Sequence, residues 1–413
     1  MARTDVIVLG AGIVGVSVAL HLAKRGVAVA LVDRSGPGEA TSYGNAGVIE
    51  GNTVFPYPFP ASFSQLLRIA LRRATEADYH WRYLLRTWPW LLAYRANSTP
   101  EKLAETAHVM RPLFARARAE HEVLMAEADA IRYLHTDGWL KLYRSDRAFA
   151  GLGRELELAG RFSIPFLTLR MEDALGLEPS LVPVFRHATF WPQAASVTDP
   201  LAVTRAYADR LAALGGVVLQ ADARSLHRHG VGWRVETPEG PLDGEQAVVA
   251  LGPWAPDVLA PLGVRLPLAI KRGYHRHFRP AGNAVLKRPV LDVEVGYVIA
   301  PMEQGIRLTT GVEFADRDAP PTPVQLDRVL PHAQGLFPLG EPVEATPWMG
   351  SRPCFADSRP VIGRAPGAAG LWLAYGHGHS GLTLGPVTGR LIAEMMTGAK
   401  PFCDPAPYRA GRF

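Results

Sequence analysis

Asp5-Val-Ile-Val-Leu-Gly10-Ala-Gly-Ile-Val-Gly15 is the stretch that decides the fold. Val6 to Leu9 are apolar without alternation, the pattern of a strand buried on both faces of a parallel sheet. Val16 to Arg25 then reads as a helix stopped by Gly26, and Val27 to Val32 as a second strand ended by Asp33. Each position between them has a physical task. Gly10 makes a tight turn, Gly12 lets backbone approach a pyrophosphate, and Gly15 lets helix and strand pack closely. The helix start offers unpaired N–H groups and the positive end of a dipole to phosphates. Asp33, 23 residues after Gly10, is placed to accept from a ribose hydroxyl and disfavours a 2′-phosphate. Three glycines alone would also suit a turn in an unrelated α/β protein. Strand, turn, helix, second strand and acid in this order predict a dinucleotide site.

Two further glycine loops suggest which dinucleotide. Gly36-Pro-Gly-Glu-Ala-Thr-Ser-Tyr-Gly-Asn-Ala-Gly47 carries Ser42, Gly44 and Gly47 in a loop suited to lying against a ligand. Near the other end, Ala374-Tyr-Gly-His-Gly-His-Ser-Gly-Leu-Thr-Leu-Gly385 runs into a helix expected over Pro386 to Thr397, a second helix start able to stabilise negative charge. Between them, Gln246-Ala-Val-Val-Ala-Leu-Gly-Pro-Trp254 reads as a buried strand ending in a glycine turn.

The bulk numbers exclude other classes. A chain of 413 residues with 48% hydrophobic and 20% charged residues is an ordinary globular composition, long enough for two domains. A net charge of +5, with no basic stripe carrying interleaved aromatics, gives no nucleic-acid signature. Cys354 and Cys403 make neither a disulfide framework nor a metal-ligand spacing. A reducing, cytoplasmic setting is expected, and no metal. The apolar run Val6 to Leu20 is not read as a signal peptide, because glycines at fingerprint spacing interrupt it and Asp5 precedes it.

At these residues the chain resembles the D-amino-acid oxidase superfamily of flavoproteins. The resemblance also covers Thr136-Asp-Gly-Trp-Leu-Lys-Leu-Tyr143, Thr198-Asp-Pro200, Arg272-Gly-Tyr274, Leu308-Thr-Thr-Gly-Val-Glu313, Trp348-Met-Gly-Ser-Arg-Pro353 and Pro360-Val-Ile-Gly363, and so runs over nearly the whole chain. Within that superfamily it most resembles bacterial D-amino-acid dehydrogenases, D-hydroxyproline-type members included. The resemblance implies an α/β fold, with a Rossmann-like FAD-binding domain over 1–55, 190–262 and 340–413. A discontinuous α+β substrate domain, a mixed antiparallel sheet with helices, would take 56–189 and 263–339. It implies non-covalent FAD held by Gly10, Ala11, Gly12, Ile13, Val14 and Gly15, by Asp33 and Arg34, and by Ser42, Gly44, Asn45, Ala46 and Gly47. Ala223 would meet the adenine end. Ala250, Gly252, Trp254 and Gly378 would line the groove, with Gly381, Leu382 and Thr383 at the pyrimidine end.

The same resemblance points to a substrate site. Arg352 is the expected carboxylate anchor, Tyr274 a partner for that carboxylate or a pocket wall, and His379 a contact to the substrate amine or the flavin. Glu50 and Tyr57 are expected along the pocket, and His377 in a structural role. Arg307 stands near the position of an oxygen-activating lysine in sarcosine oxidases, but arginine is not lysine. Cys354 is out of register for a covalent flavin link and reads as a small core residue.

The implied reaction is oxidation of an amino acid or amine by hydride transfer to FAD, giving an imine, with a quinone or another acceptor taking the electrons. An oxidase of the glycine or sarcosine type using O2, a flavin-binding subunit of a larger dehydrogenase, and an NAD enzyme are the alternatives. The stretch 55–95 remains open. Ser64 to Arg95 holds six arginines against Glu76 and Asp78, with Trp81, Trp88 and Trp90 among them. It suits either a helical lid or a peripheral contact with the inner face of a membrane.

Overall fold

A computed structural model describes residues 2–50, 56–60 and 62–413. The strand Ala2–Leu9 lies inside an eight-stranded sheet, with Val29–Asp33 and then Val217–Gln220 on one side and Gly240–Val249 on the other. All of these neighbours run parallel, with Val6 opposite Val29 and Gln246. Leu371–Tyr375 and then Val361–Arg364 extend the sheet beside Gly240–Val249. Side chains alternate across a strand, and the consequence is visible in the core. Val6 and Val8 pack under the helices on one face, and Ile7 and Leu9 under the opposite layer.

The first helix spans Ile13–Ala23, starting three residues before the Val16 expected from the sequence. The Val16 N–H already donates to Gly12 O at 2.9 Å, so the fingerprint glycines enter the helical turn directly. This helix lies against Gly381–Met396, which likewise begins earlier than the expected Pro386. A Cβ on Gly389 would stand 2.5 Å from the backbone of Ser17, and one on Gly385 would stand 3.1 Å from Ile13 Cγ1. Pro386 inside that helix lacks the N–H that would pair with Leu382 O. The buried His121 replaces it, its Nε2 lying 2.8 Å from Leu382 O and its Nδ1 3.1 Å from the Tyr207 hydroxyl. Burial pushes His121 down to about 4, which keeps the ring neutral in this role.

The second sheet has eleven strands and is largely antiparallel, with parallel pairs at Val290–Asp292/Trp139–Tyr143 and Val312–Phe314/Ala77–Tyr79. Its organising strand is Ala269–Pro280. It pairs with Gly305–Thr309, Val312–Phe314, Leu339–Pro342 and Trp348–Cys354. The sequence reading grouped 340–413 with the nucleotide-binding segments. Trp348–Cys354 hydrogen-bonds into the larger sheet instead, and the chain joins the nucleotide-binding sheet at Val361–Arg364. His187–Trp191 also pairs within the larger sheet. Among the described residues no helix is long and apolar enough to cross a membrane.

We expect Gly389→Leu to lower thermal stability by about 2–4 kcal/mol, since a side chain there meets backbone and cannot be accommodated by rotamer change. Calorimetry of the purified variant beside Gly389→Ala checks this, and an unchanged Tm for the leucine variant would show that the two helices part freely.

Candidate active site

A cavity of about 1410 Å³ runs between the two sheets. The ends of the parallel strands and both helix starts open onto it. Gly10, with φ +106°, has no room for a Cβ, which would stand 2.6 Å from Ala250 O. A Cβ on Gly15 would stand 1.8 Å from Gly10 O, so this glycine is what lets the turn close on its own helix. Ala11 N donates to Asp33 Oδ2 at 2.7 Å, and Ser35 N donates to Asp33 Oδ1 at 3.0 Å. The carboxylate that borders the cavity is thereby fixed in place, with lone pairs to spare. Ser42 Oγ accepts from Ile13 N at 2.9 Å and supplies the cap that Gly12 cannot. Arg34 lies over the Trp254 ring at 4.9 Å, beside Ala223 and Gly252.

The loop at 42–47 and the loop at 376–383 meet across the cavity. Asn45 Nδ2 donates to His379 O at 3.2 Å, and Thr383 Oγ1 donates to Val48 O at 3.1 Å. Ser380 makes no side-chain cap to the helix that follows, so the first N–H groups of Gly381, Leu382 and Thr383 face the cavity without a capping partner. Gly44 lies directly under the Trp348 ring, where a Cβ would come within 1.7 Å of the indole.

Of the residues named from the sequence, most border this one cavity: Gly10, Gly12, Ile13, Val14, Asp33, Arg34, Ser42, Gly44, Asn45, Ala46, Ala223, Ala250, Gly252, Trp254, Gly378, Gly381, Leu382 and Thr383, with Arg352, Tyr274, His379, Glu50 and Tyr57. Ala11, Gly15 and Gly47 stand behind it and shape the turns. Gly47, at φ +76°, would put a Cβ 2.3 Å from Val197 O.

The strand pair Ala269–Pro280/Trp348–Cys354 builds the other end. Arg352 crosses over Gly273, where a Cβ would stand 2.4 Å from its Nη2. Its Nη1 donates to Gly311 O at 2.8 Å and its Nη2 reaches Thr310 O at 3.4 Å. Burial holds this guanidinium below its ordinary value, though arginine stays charged. His379 faces the cavity with its ring edge-on to Tyr57 at 5.2 Å. Burial pushes it down to about 4, and Arg352, Lys271 and Lys141 repel its proton further. His377 is bound to Thr388 Oγ1 at 2.9 Å and is buried, as a structural group would be.

Tyr274 borders the cavity as a pocket wall would, while its hydroxyl donates to Glu313 Oε2 at 2.6 Å and accepts from Thr322 N at 2.9 Å. Arg272, two residues earlier on the same strand face, donates to that same carboxylate oxygen at 2.7 Å. Strand alternation therefore gives Arg272 and Tyr274 to a buried network and leaves Lys271 and Gly273 beside Arg352. The sequence reading missed Lys271. The signal was present, since Lys271 and Gly273 alternate with Arg272 and Tyr274. Arg307 is buried and serves the loop at 42–47, its Nη1 donating to Tyr43 O at 2.8 Å and also to Asn45 O.

Residues 5–395 match the DAO family of FAD dependent oxidoreductases. The chain belongs to that family. This flavoprotein is 29% identical to the D-amino-acid oxidase of Bradyrhizobium diazoefficiens, over 99% of this chain and 98% of that one. It is 31% identical to a D-amino acid dehydrogenase of Azorhizobium caulinodans, over 96% of each. Its fold superposes on glycine oxidase from Geobacillus kaustophilus with a TM-score of 0.78 and 23% identity, covering 100% of both chains. The mixed α/β architecture and the FAD cofactor expected from the sequence are those of the family. The cavity fits FAD, because the Gly10 turn admits no side chain and two helix starts face it.

Gly10→Ala is expected to remove most bound FAD, because the added methyl meets Ala250 O and the backbone is in the left-handed region that alanine disfavours by about 1–2 kcal/mol. The ratio of flavin to protein absorbance after purification measures it, and full occupancy would show that the turn yields.

Proposed function

We propose that this flavoprotein dehydrogenates a D-amino acid or a cyclic secondary amine such as a D-proline derivative. Arg352 carries the reading. It is a cation on the cavity wall, held by two backbone carbonyls, with no carboxylate partner among the described residues. A planar fork pre-positioned in this way suits bidentate capture of a substrate carboxylate. The names of the Bradyrhizobium and Azorhizobium relatives support the D hand.

Bound FAD would supply the hydride acceptor for oxidation of the amine-bearing carbon to an imine, which water would hydrolyse. The chain's own residues orient and shield. Arg352 fixes the carboxylate end of the substrate. His379, neutral at pH 7 because burial holds it near 4, accepts a hydrogen bond from the uncharged amine without taking its proton. The N–H groups at Gly381, Leu382 and Thr383 would offer positive potential to a bound flavin. The Gly10 to Gly15 turn, Asp33 and the Ser42 to Gly47 loop hold the nucleotide. We assign these roles to the divided nucleotide-binding and substrate domains outlined from the sequence. Burial raises the Cys354 thiol, which supports non-covalent FAD.

A glycine-type oxidase is the second reading, and a Pseudomonas aeruginosa glycine oxidase is 28% identical to this chain. Against it, Arg307 is engaged with loop carbonyls and offers no lysine-like ammonium to oxygen. We therefore favour a quinone acceptor, met from the cytoplasmic side of a membrane by the stretch 55–95. Phe55 and Ala61 of that stretch lie outside the described residues. Its inner side, including Leu66, Trp88 and Tyr94, borders the cavity as a lid would. Its outer side exposes Phe63, Leu67, Leu71, Trp81, Leu85 and Leu92. Arg68, Arg72 and Arg86 pair with acids, while the exposed Arg73, Arg82 and Arg95 make no ion pair with a described acid. Exposed rings beside unneutralised arginines suit an anionic lipid surface.

Anaerobic absorbance scans against D- and L-amino acids, D-proline, cis-4-hydroxy-D-proline, glycine and sarcosine test the reaction. Bleaching of the flavin band by D-amino acids or D-proline derivatives is expected, and a yellow protein that none of them bleaches overturns it. Arg352→Ala should raise KM for carboxylate substrates by about 10²–10³-fold, the worth of a lost charge-assisted pair, with Arg352→Lys between. A KM unchanged in both variants removes Arg352 from the site. Co-sedimentation with anionic vesicles should exceed that with zwitterionic ones, and Trp81→Ser with Leu85→Ser should abolish the difference. Equal recovery with both vesicle types speaks for a lid alone.

A further inference from the structure

The strand pair that carries Arg352 brings a second cation to the same wall. Lys271 stands opposite Arg352 in the register of Ala269–Pro280 against Trp348–Cys354. Directly opposed residues of an antiparallel pair place their Cβ atoms about 5 Å apart on one face, and both side chains border the cavity. The Lys271 ammonium lies 4.1 Å from the Tyr94 ring centre, 5.1 Å from that of Trp90 and 5.6 Å from that of Phe314. These rings, with Phe59 and Cys354, form a small apolar cluster.

Four other shielded cations pair with an acid: Arg272 has Glu313, Lys141 has Glu155, Arg288 has Glu178, and Arg144 has Asp292; the buried Arg307 is held instead by His277 and the Tyr43 and Asn45 carbonyls. Among the described residues neither Lys271 nor Arg352 forms an ion pair, and the contacts they make are to rings and backbone carbonyls. Withdrawing two adjacent cations from water without counter-charge is unfavourable unless a ligand supplies it. The two groups differ in kind. Arg352 is a rigid fork braced in one orientation, whereas Lys271 is a point charge with rotatable donors on a flexible stem. The first suits an invariant carboxylate, and the second an anion whose distance varies with side-chain length.

We infer that the cavity takes a dicarboxylate, Arg352 receiving the α-carboxylate and Lys271, within its three rings, a second carboxylate on the substrate side chain. The inference rests on the amine-oxidising reading above and narrows it to acidic amino acids of the D-aspartate or D-glutamate kind. A neutral side chain in the same place would leave Lys271 with ring contacts alone.

Two measurements on the FAD-loaded protein test this. Anaerobic flavin reduction by D-glutamate, D-glutamine and D-norvaline compares a charged side chain with neutral ones of similar size. Titration with glutarate and with pentanoate, followed by flavin absorbance, reads binding without turnover. D-glutamate should exceed D-glutamine in kcat/KM, and glutarate should bind more tightly than pentanoate, each by about 10- to 100-fold, the worth of one charge-assisted hydrogen bond. Lys271→Met should erase both ratios and Lys271→Arg should restore most of each, which a merely structural lysine would not do. D-glutamine or D-norvaline turning over as well as D-glutamate, or ratios that survive in Lys271→Met, overturns the inference and leaves amine oxidation standing. If no amino acid reduces the flavin, the amine reading falls. A glutarate preference that depends on Lys271 would then still support the dicarboxylate pocket, and its absence would remove that as well.

Discussion

The contact between the helices Ile13–Ala23 and Gly381–Met396 is the constraint on which the site depends. Gly385 and Gly389 bring the second helix onto the backbone of the first, and Gly15 lets the first close onto its own turn. Both helix starts thereby open on the same cavity, from opposite ends of the chain. Two sets of N–H groups and two dipole ends then face one cavity, where their electrostatic effect is largest if water is scarce. His121 belongs to the same device. By taking up the Leu382 carbonyl that Pro386 leaves unpaired, it lets a proline sit inside the helix without an orphaned backbone group.

The larger sheet contributes in another way. Ala269–Pro280 divides its side chains between two environments. Arg272 and Tyr274 turn to Glu313 and make a closed buried network, while Lys271 and Gly273 turn to Arg352 and the cavity. One face of the strand is saturated with partners, and on the other Lys271, opposite Arg352, makes no ion pair among the described residues. A satisfied network rigidifies the strand, and the unsatisfied face is left for a ligand. Burial raises the Cys354 thiol, so it adds no negative charge beside Arg352 and Lys271.

Much of the nucleotide half was legible because it is local. The Gly10 turn, the helix after it and Asp33 lie within one strand–helix–strand unit, where spacing dictates geometry. The helix starts were read three to five residues late, because Gly15 in one helix and Gly381, Gly385 and Pro386 in the other look like loop residues although the backbone is already helical there. The substrate half was less legible. Arg352, His379 and Tyr274 were named through resemblance, and nothing local showed that the Tyr274 hydroxyl is spent on Glu313. Lys271 was passed over beside the Arg272-Gly-Tyr274 motif, because nothing local tells which of two alternating faces of a strand meets the cavity.

The sequence by itself determined the dinucleotide turn, the order of strands and helices around it, and the three glycine loops that border one cavity. These follow from φ/ψ freedom, dipole ends and periodicity, which act within a few residues. Only the tertiary structure decided which residues share the substrate wall. Lys271, Arg352 and His379 are far apart in the chain, and their meeting depends on the register of Ala269–Pro280 against Trp348–Cys354 and on the side to which each strand turns its alternate residues.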